Sequence, residues 1–308
     1  MRRSGRAGRS GGLVRRIVVT GSTGLIGGHL AREIERRWPD AFVQRVDLAN
    51  GHDCRRFFAS NDDHDWDLAL HCAAITGGIE GTMFNGAFQA AQNAQMDGAY
   101  FEWALRTRPG RIVYFSSSCA YPTYLLGGEN YALKESDIDF DGYYHDPDMP
   151  YGWAKLNGEV MANAVRETGV PTTVVRPFAI YGETQETCRM IPAFVERARA
   201  DSETFEVWGP GDQASDFCHV DDCVGAILAA VDQGIDGPFN VGTGRGAMAD
   251  EVAEMVMAEV GVKKEIVHNL DKPYGPGWRV ADPTLLHSFY TPTVSLEEGV
   301  KRVVAAQR

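Results

Sequence analysis

A β-branched run, Arg16-Ile-Val-Val-Thr20, opens directly into Gly21-Ser-Thr-Gly24-Leu-Ile-Gly27 and from there into residues that suit a helix, near 25–38. No other feature limits the fold as tightly. A strand that turns through glycines into a helix presents free backbone N–H groups and a positive dipole end to an anion. Gly21 allows the tight turn, Gly24 lets a pyrophosphate approach the backbone, and Gly27 lets the helix pack close to its strand. The spacing predicts a dinucleotide phosphate site lined by Gly21, Ser22, Thr23, Gly24, Leu25 and Ile26.

The alternation continues downstream. Residues 41–46, 67–71, 111–115 and 172–176 are short apolar runs of the kind buried on both faces of a parallel sheet. Between them, 84–106 and 151–167 read as long helices. The pattern predicts an α/β fold, a Rossmann-type doubly wound parallel sheet with right-handed crossovers. Beyond Pro177 it loosens into helices at 191–200, 221–231 and 249–260, a strand at 205–208, and a Pro- and Gly-rich stretch at 272–283. We expect a basic leader at 1–12 and a dinucleotide-binding domain at 13–180, to which 216–245 returns. A smaller substrate-binding lobe at 181–215 and 246–308 should cover the C-terminal edge of the sheet.

Charge narrows the function. A net charge of −12 over 308 residues excludes a nucleic-acid binder, which needs a broad basic face. Arg2, Arg3, Arg6, Arg9, Arg15 and Arg16 sit among Gly and Ser, a composition that buries no core and reads as a disordered leader. The apolar stretch of a signal peptide is missing there. No apolar run reaches the roughly 20 residues that cross a bilayer. The six cysteines form no CxxC pair and no zinc spacing, so we expect no metal and the reduced thiols of a cytoplasmic protein.

Asp47 lies twenty positions after Gly27, at the end of the second strand. An acidic side chain there would bind both ribose hydroxyls of NAD and repel the extra phosphate of NADP. Leu48 stands beside it, and Asp53 is placed to lie near the adenine. Tyr151-Gly-Trp-Ala-Lys155 puts two titratable groups on one helix face, where an ammonium would lower the phenol's pKa and suit it to act as a base. Ser116, Ser117 and Ser118 follow a buried strand, where ligands bind in such sheets, and a serine there can align a substrate hydroxyl with the tyrosine.

In order and spacing these three motifs resemble the extended short-chain dehydrogenase/reductase family, in its nucleotide-sugar epimerase and dehydratase branch, from Ile17 to about Asp282. His71-Cys-Ala-Ala74, Asn93, Arg176-Pro177 before Tyr181-Gly182, and Trp208-Gly-Pro-Gly-Asp212 with Asp216-Phe-Cys-His-Val-Asp-Asp222 are similar too. Ala73-Ala74, Gly77-Gly78-Ile79, Gln92-Asn93 and Ser117-Ser-Cys-Ala-Tyr-Pro122 look most like the GDP-fucose synthase and GDP-mannose 3,5-epimerase group. The resemblance implies catalysis by Ser117, Tyr151 and Lys155, with Cys119 moving a proton at the carbon beside a transient ketone. It implies NAD held by Cys72, Ala73, Ala74, Asn93, Ser116, Tyr151, Lys155 and Pro177 in addition to the glycine loop and Asp47. It implies a nucleotide-diphosphate sugar touching Gly78, Ser117, Ser118, Arg189, Trp208 and Arg279, and a homodimer through the two long helices.

Two departures bear on the reaction. Arg189 stands where the group keeps a His or Lys acid/base, and arginine is a poor proton donor. Ser215 stands where the family keeps a diphosphate-binding arginine, although Arg279 matches a second such arginine and suits phosphate well. The acidic pair expected of a dehydratase after the strand is absent from Ser117-Ser118-Cys119. The expectation is an NAD-dependent nucleotide-sugar epimerase, GDP-sugar favoured, working through a transient 4-keto sugar. A 4-keto-sugar reductase using NAD(P)H, a dehydratase, and a non-catalytic NAD-binding protein are the alternatives.

Overall fold

The computed structural model describes residues 15–127, 130–140 and 145–307, so the leader expected at 1–12 lies outside the described residues. In chain order its strands are β1 (Arg16–Thr20), β2 (Phe42–Val46), β3 (Leu68–His71), β4 (Ile112–Phe115), β5 (Ala132–Leu133), β6 (Thr172–Pro177), β7 (Ala179–Tyr181), β8 (Thr204–Trp208), β9 (Ala214–His219), β10 (Gly237–Val241), β11 (Gly246–Met248), β12 (Glu265–Asn269) and β13 (Trp278–Ala281). The α-helices are α1 (Leu25–Arg37), α2 (Cys54–Ser60), α3 (Ile79–Thr107), α4 (Met149–Glu167), α5 (Met190–Arg199), α6 (Val220–Gln233), α7 (Ala249–Val260), α8 (Thr284–His287) and α9 (Leu296–Ala306).

Six strands form one parallel sheet in the order β10-β6-β4-β3-β1-β2. Both faces are buried, as the unbroken apolar strands require. Ile17 and Val19 point into a core shared with Leu30 and Ile34 of α1 and Ile227 of α6. Val18 points the other way, into a core shared with Phe58 of α2, Met96, Tyr100 and Trp103 of α3 and Val165 of α4. The order reverses between β1 and β3, so the turns after these two strands open a crevice at their C-terminal ends. That is where a doubly wound sheet binds its ligand.

A second core lies beyond the sheet, where α5, α7 and α9 pack on Phe205, Val207 and Phe217. Here β11, β9, β13 and β5 form a small sheet, with β7 also beside β9, while β8 pairs with β12. Of the stretch 216–245, β10 enters the central sheet beside β6 and α6 packs beside α1 beneath it, but β9 pairs outside it. Helix α3 starts at Ile79, five residues earlier than its sequence pattern suggests, and loses helical angles at Asn85 (φ −118°, ψ 19°). The predicted start at residue 84 coincides with that kink.

Candidate active site

The glycine loop has the shape its sequence demands. Gly21 has φ +63°, and a Cβ there would stand 2.7 Å from Ala73 N. A Cβ on Gly27 would stand 2.2 Å from Gly21 O, so the first turn of α1 lies directly on the loop. Gly24 is exposed and would meet only Gly21 O, at 3.4 Å. Ser22 Oγ is buried with no hydrogen-bond partner among the described residues, beside this open face. Asp47 braces the loop from β2: one carboxylate oxygen accepts Thr23 N at 3.0 Å and the other accepts Ala49 N at 2.9 Å. Leu48 follows, exposed. Glycines that admit an anion, an orphaned hydroxyl and a carboxylate at the end of β2 fit a dinucleotide.

Several of the remaining residues expected at the cofactor are engaged by their own chain. Both amide atoms of Asn93 are used on Ile75, with Ile75 N donating to Oδ1 at 2.7 Å and Nδ2 donating to Ile75 O at 3.0 Å. Asn93 therefore orders the turn that carries Cys72, Ala73 and Ala74. Ser116 donates inward to Glu159 at 2.5 Å, and Glu159 holds Arg176 in a buried two-pronged ion pair (2.7 and 2.9 Å). Asp53 caps α2 and is paired with Arg55 at 2.8 Å. Pro177 ends β6, half-buried.

The N-terminal end of α4 docks against the turn after β4. Asp148 N donates to Cys119 O at 2.9 Å, and a Cβ on Gly152 would stand 2.2 Å from the same oxygen. Only glycine lets the helix come so close. Ser117 caps that turn, its Oγ accepting Cys119 N at 3.1 Å, which leaves the hydroxyl proton free to donate. Ser118 is buried beneath the turn, and Cys119 is half-buried. Tyr151 lies on the first turn of α4, and Lys155, buried one turn later, has its ammonium 5.9 Å from the Tyr151 ring centroid.

The electrostatics correct one expectation. In the chain by itself Tyr151 is pushed above the ordinary phenol range, by burial first, then by Cys119, with Arg189 opposing and Asp97 adding to the rise. The shift is upward despite Lys155 one turn away. At 5.9 Å from the ring the ammonium leaves the cost of losing water dominant. Arg189 caps the N-terminus of α5, half-buried, and bears electrostatically on the tyrosine. Arg279 is engaged by its own chain: it forms an ion pair with Asp148 and donates from Nη1 to Cys119 Sγ at 3.4 Å. It also stands opposite Ser215 in the β13–β9 register, so a cation lies beside the position where the sequence lacks its arginine. Gly78 packs on Cys188, where a Cβ would meet the backbone oxygen at 2.3 Å. Trp208, on the β8–β12 pair, is flanked by Arg197 and Lys272 and donates to Glu206. Among the described residues no group of three His, Cys, Asp or Glu is placed to hold a metal, and no helix is long and apolar enough to cross a membrane.

A parallel sheet with a phosphate-shaped glycine turn, and a Ser, a Tyr and a Lys at the adjoining strand end, defines an extended short-chain dehydrogenase/reductase. The chain belongs to the NAD dependent epimerase/dehydratase family, whose model matches residues 17–242. It is 28% identical over 312 residues to GDP-mannose 3,5-epimerase 1 of Oryza sativa subsp. indica, covering 93% of this chain and 80% of that protein. It is also 28% identical to dTDP-4-dehydro-6-deoxy-D-allose reductase of Streptomyces bikiniensis, over 88% and 89% of the two chains. Among solved structures it is similar to UDP-glucose 4-epimerase of Thermotoga maritima with UDP-glucose, at TM-score 0.81 and 25% identity, over 95% and 98% of the chains. It is thus an enzyme of a family that uses NAD on nucleotide sugars.

Proposed function

We propose that this enzyme is an epimerase of a nucleotide-diphosphate sugar, GDP-sugar favoured, working through a transient 4-keto sugar. The observation that carries the reading is the docking of α4 on the serine turn, which brings Ser117, Cys119 and Tyr151 to one strand end with Lys155 behind them. Similarity to a GDP-mannose 3,5-epimerase supports the substrate class. When bound, NAD supplies the hydride acceptor and donor and adds a positive ring charge to the cleft. Tyr151 then takes the proton of the sugar hydroxyl that Ser117 orients, and Lys155 holds the cleft's positive charge behind it. Cys119 is the group that moves a proton at the carbon beside the ketone, with Arg279 holding its sulfur at 3.4 Å. We assign the protein to the cytoplasm on its free cysteines.

Heat-denatured protein should release NAD, and GDP-sugar isomers should interconvert with no cofactor added. Tyr151→Phe should keep its NAD and lose about 10²- to 10⁴-fold in turnover, the usual scale of acid–base catalysis. Full activity in that variant would sink the assignment. Solvent deuterium entering the sugar tests Cys119, since simple inversion at the oxidised carbon incorporates none. A 4-keto-sugar reductase is the second reading, favoured by the reductase relative. It requires stoichiometric reduced cofactor for every turnover.

A further inference from the structure

Behind Lys155, on the inner face of α3, lies a buried titratable group that the chemistry above leaves unused. Asp97 is 1% exposed. The Tyr114 hydroxyl donates to its Oδ2 at 2.8 Å, and His71 Nε2 stands 3.2 Å from its Oδ1. His71 Nδ1 lies 2.8 Å from Thr20 Oγ1, which accepts Ala73 N at 3.2 Å. Burial lowers the imidazole's pKa against the opposing pull of Asp97, so the ring is neutral and carries one proton. Because Ala73 already donates to Thr20, the hydroxyl proton is best spent on Nδ1, which leaves the ring proton on Nε2 facing Asp97. The donors then run one way, from Ala73 through Thr20 to His71, whose Nε2 faces Asp97 Oδ1 at ion-pair distance without hydrogen-bonding geometry.

A carboxylate this deep is costly unless a cation stands near it. Burial is the largest influence and works to raise Asp97, but the Lys155 ammonium, His71 and Tyr114 together outweigh it and hold the carboxyl below its ordinary range. Tyr114 joins the two charges. Its ring centroid is 5.1 Å from the Lys155 ammonium and its hydroxyl is on Asp97. Gly158, on α4, makes room for that hydroxyl, which would sit 1.9 Å from a Cβ there. The titratable groups that bear on this cluster are His71 and Cys72 at the end of β3, Cys54 from α2, Tyr100 from α3, Tyr114 from β4, and Tyr151, Lys155 and Glu159 from α4. Glu159 is already neutralised by Arg176 at 2.7 Å, so Lys155 is the cation that answers Asp97.

We propose that Asp97 is a positioning residue of the reaction centre, a buried counter-ion seated by Tyr114 and His71 that fixes the Lys155 ammonium behind the Tyr151 phenol. The inference rests on the reading of Tyr151 and Lys155 as the redox pair. Through Thr20 and Ala73 the same cluster reaches the turn against Gly21.

Asp97→Asn removes the charge and keeps the shape, since an amide can still accept from Tyr114. The chain has six lysines, few enough for ¹³Cε-lysine NMR, with Lys155 assigned by its loss in Lys155→Met. In protein carrying its own NAD, the Lys155 resonance of Asp97→Asn should titrate at least one pH unit lower than in wild type, a tenfold loss of proton affinity. A purely structural Asp97 would lower the melting temperature and leave that titration unmoved, which overturns the proposal. Should Asp97→Asn not fold, Tyr114→Phe keeps the ring and removes the donor, and a smaller shift in the same direction is expected; no shift overturns the proposal equally. The NMR readout needs no substrate. A lysine shift in a protein that turns over no nucleotide sugar would defeat the epimerase reading while leaving the coupling of Asp97 to Lys155 intact.

Discussion

At residue 152 the absence of one methyl group decides whether the tyrosine reaches the serine turn. Gly152 faces a backbone carbonyl at a distance no real Cβ tolerates, and a backbone atom cannot rotate away as a side chain can. Gly152→Ala should therefore push α4 off the turn, costing about 1–3 kcal/mol, the usual scale of overpacking. Urea unfolding checks the stability, and turnover should fall by more than that loss of folded protein explains, because Tyr151 and Cys119 part company. Equal losses in the two measurements would refute this account of the docking. The tyrosine and lysine themselves were legible in the sequence, since a spacing of four on a helix is a local fact. The duties of Asn93, Ser116, Arg279 and Asp97 were not, because each is set by a partner 18 or more residues away: Ile75, Glu159, Asp148 and Lys155.

Elements were legible where both periodicity and burial were strong. The strands β1, β3, β4 and β6 came out within a residue or two of their apolar runs, and α7 at its predicted bounds, 249–260. What escaped was the second lobe's closure. Helix α9 follows a Pro-rich stretch and has a sound N-terminal signature, Ser295 accepting Glu298 N with Glu297 and Glu298 in the first turn. Its Leu296, Val300, Val303 and Val304 fill the core between α5 and α7. Small sheets such as β11-β9-β13-β5 escaped for a different reason: two- to six-residue strands paired across distant segments leave no local period to read. If α9 holds this lobe together, Leu296→Ala, a deletion worth about 2–5 kcal/mol in a packed core, should loosen it selectively. Substrate affinity should drop while NAD stays bound, read by calorimetry with each ligand, whereas joint loss of both would mean the two cores unfold as one.

Two properties belong to the molecule entire. The first is its response to acid. His71 is held neutral, its pKa lowered from 6.5, so below that value the unfolded chain binds a proton that the folded chain refuses. Stability is full above pH 6.5 and falls as pH drops, by up to about 1.4 kcal/mol per pH unit for one proton. His71→Gln should flatten that slope between pH 6.5 and 5 in urea melts at stepped pH, and an unchanged slope would assign the acid response to other groups. The second is assembly. Met83, Phe84 and Phe88 on α3 and Trp153 and Val160 on α4 are exposed, on the two helices that form one outer layer over the sheet. Large apolar side chains gathered on neighbouring helices mark a contact surface, and we expect a second copy of this chain to cover them. Phe84→Glu with Trp153→Glu should then sediment as a monomer where wild type sediments as a dimer. Because α4 also carries Tyr151 and Lys155, the partner would brace the helix to which the proposed chemistry is assigned. The charged variant should accordingly keep its NAD and lose turnover, and a monomer as active as wild type would separate assembly from catalysis.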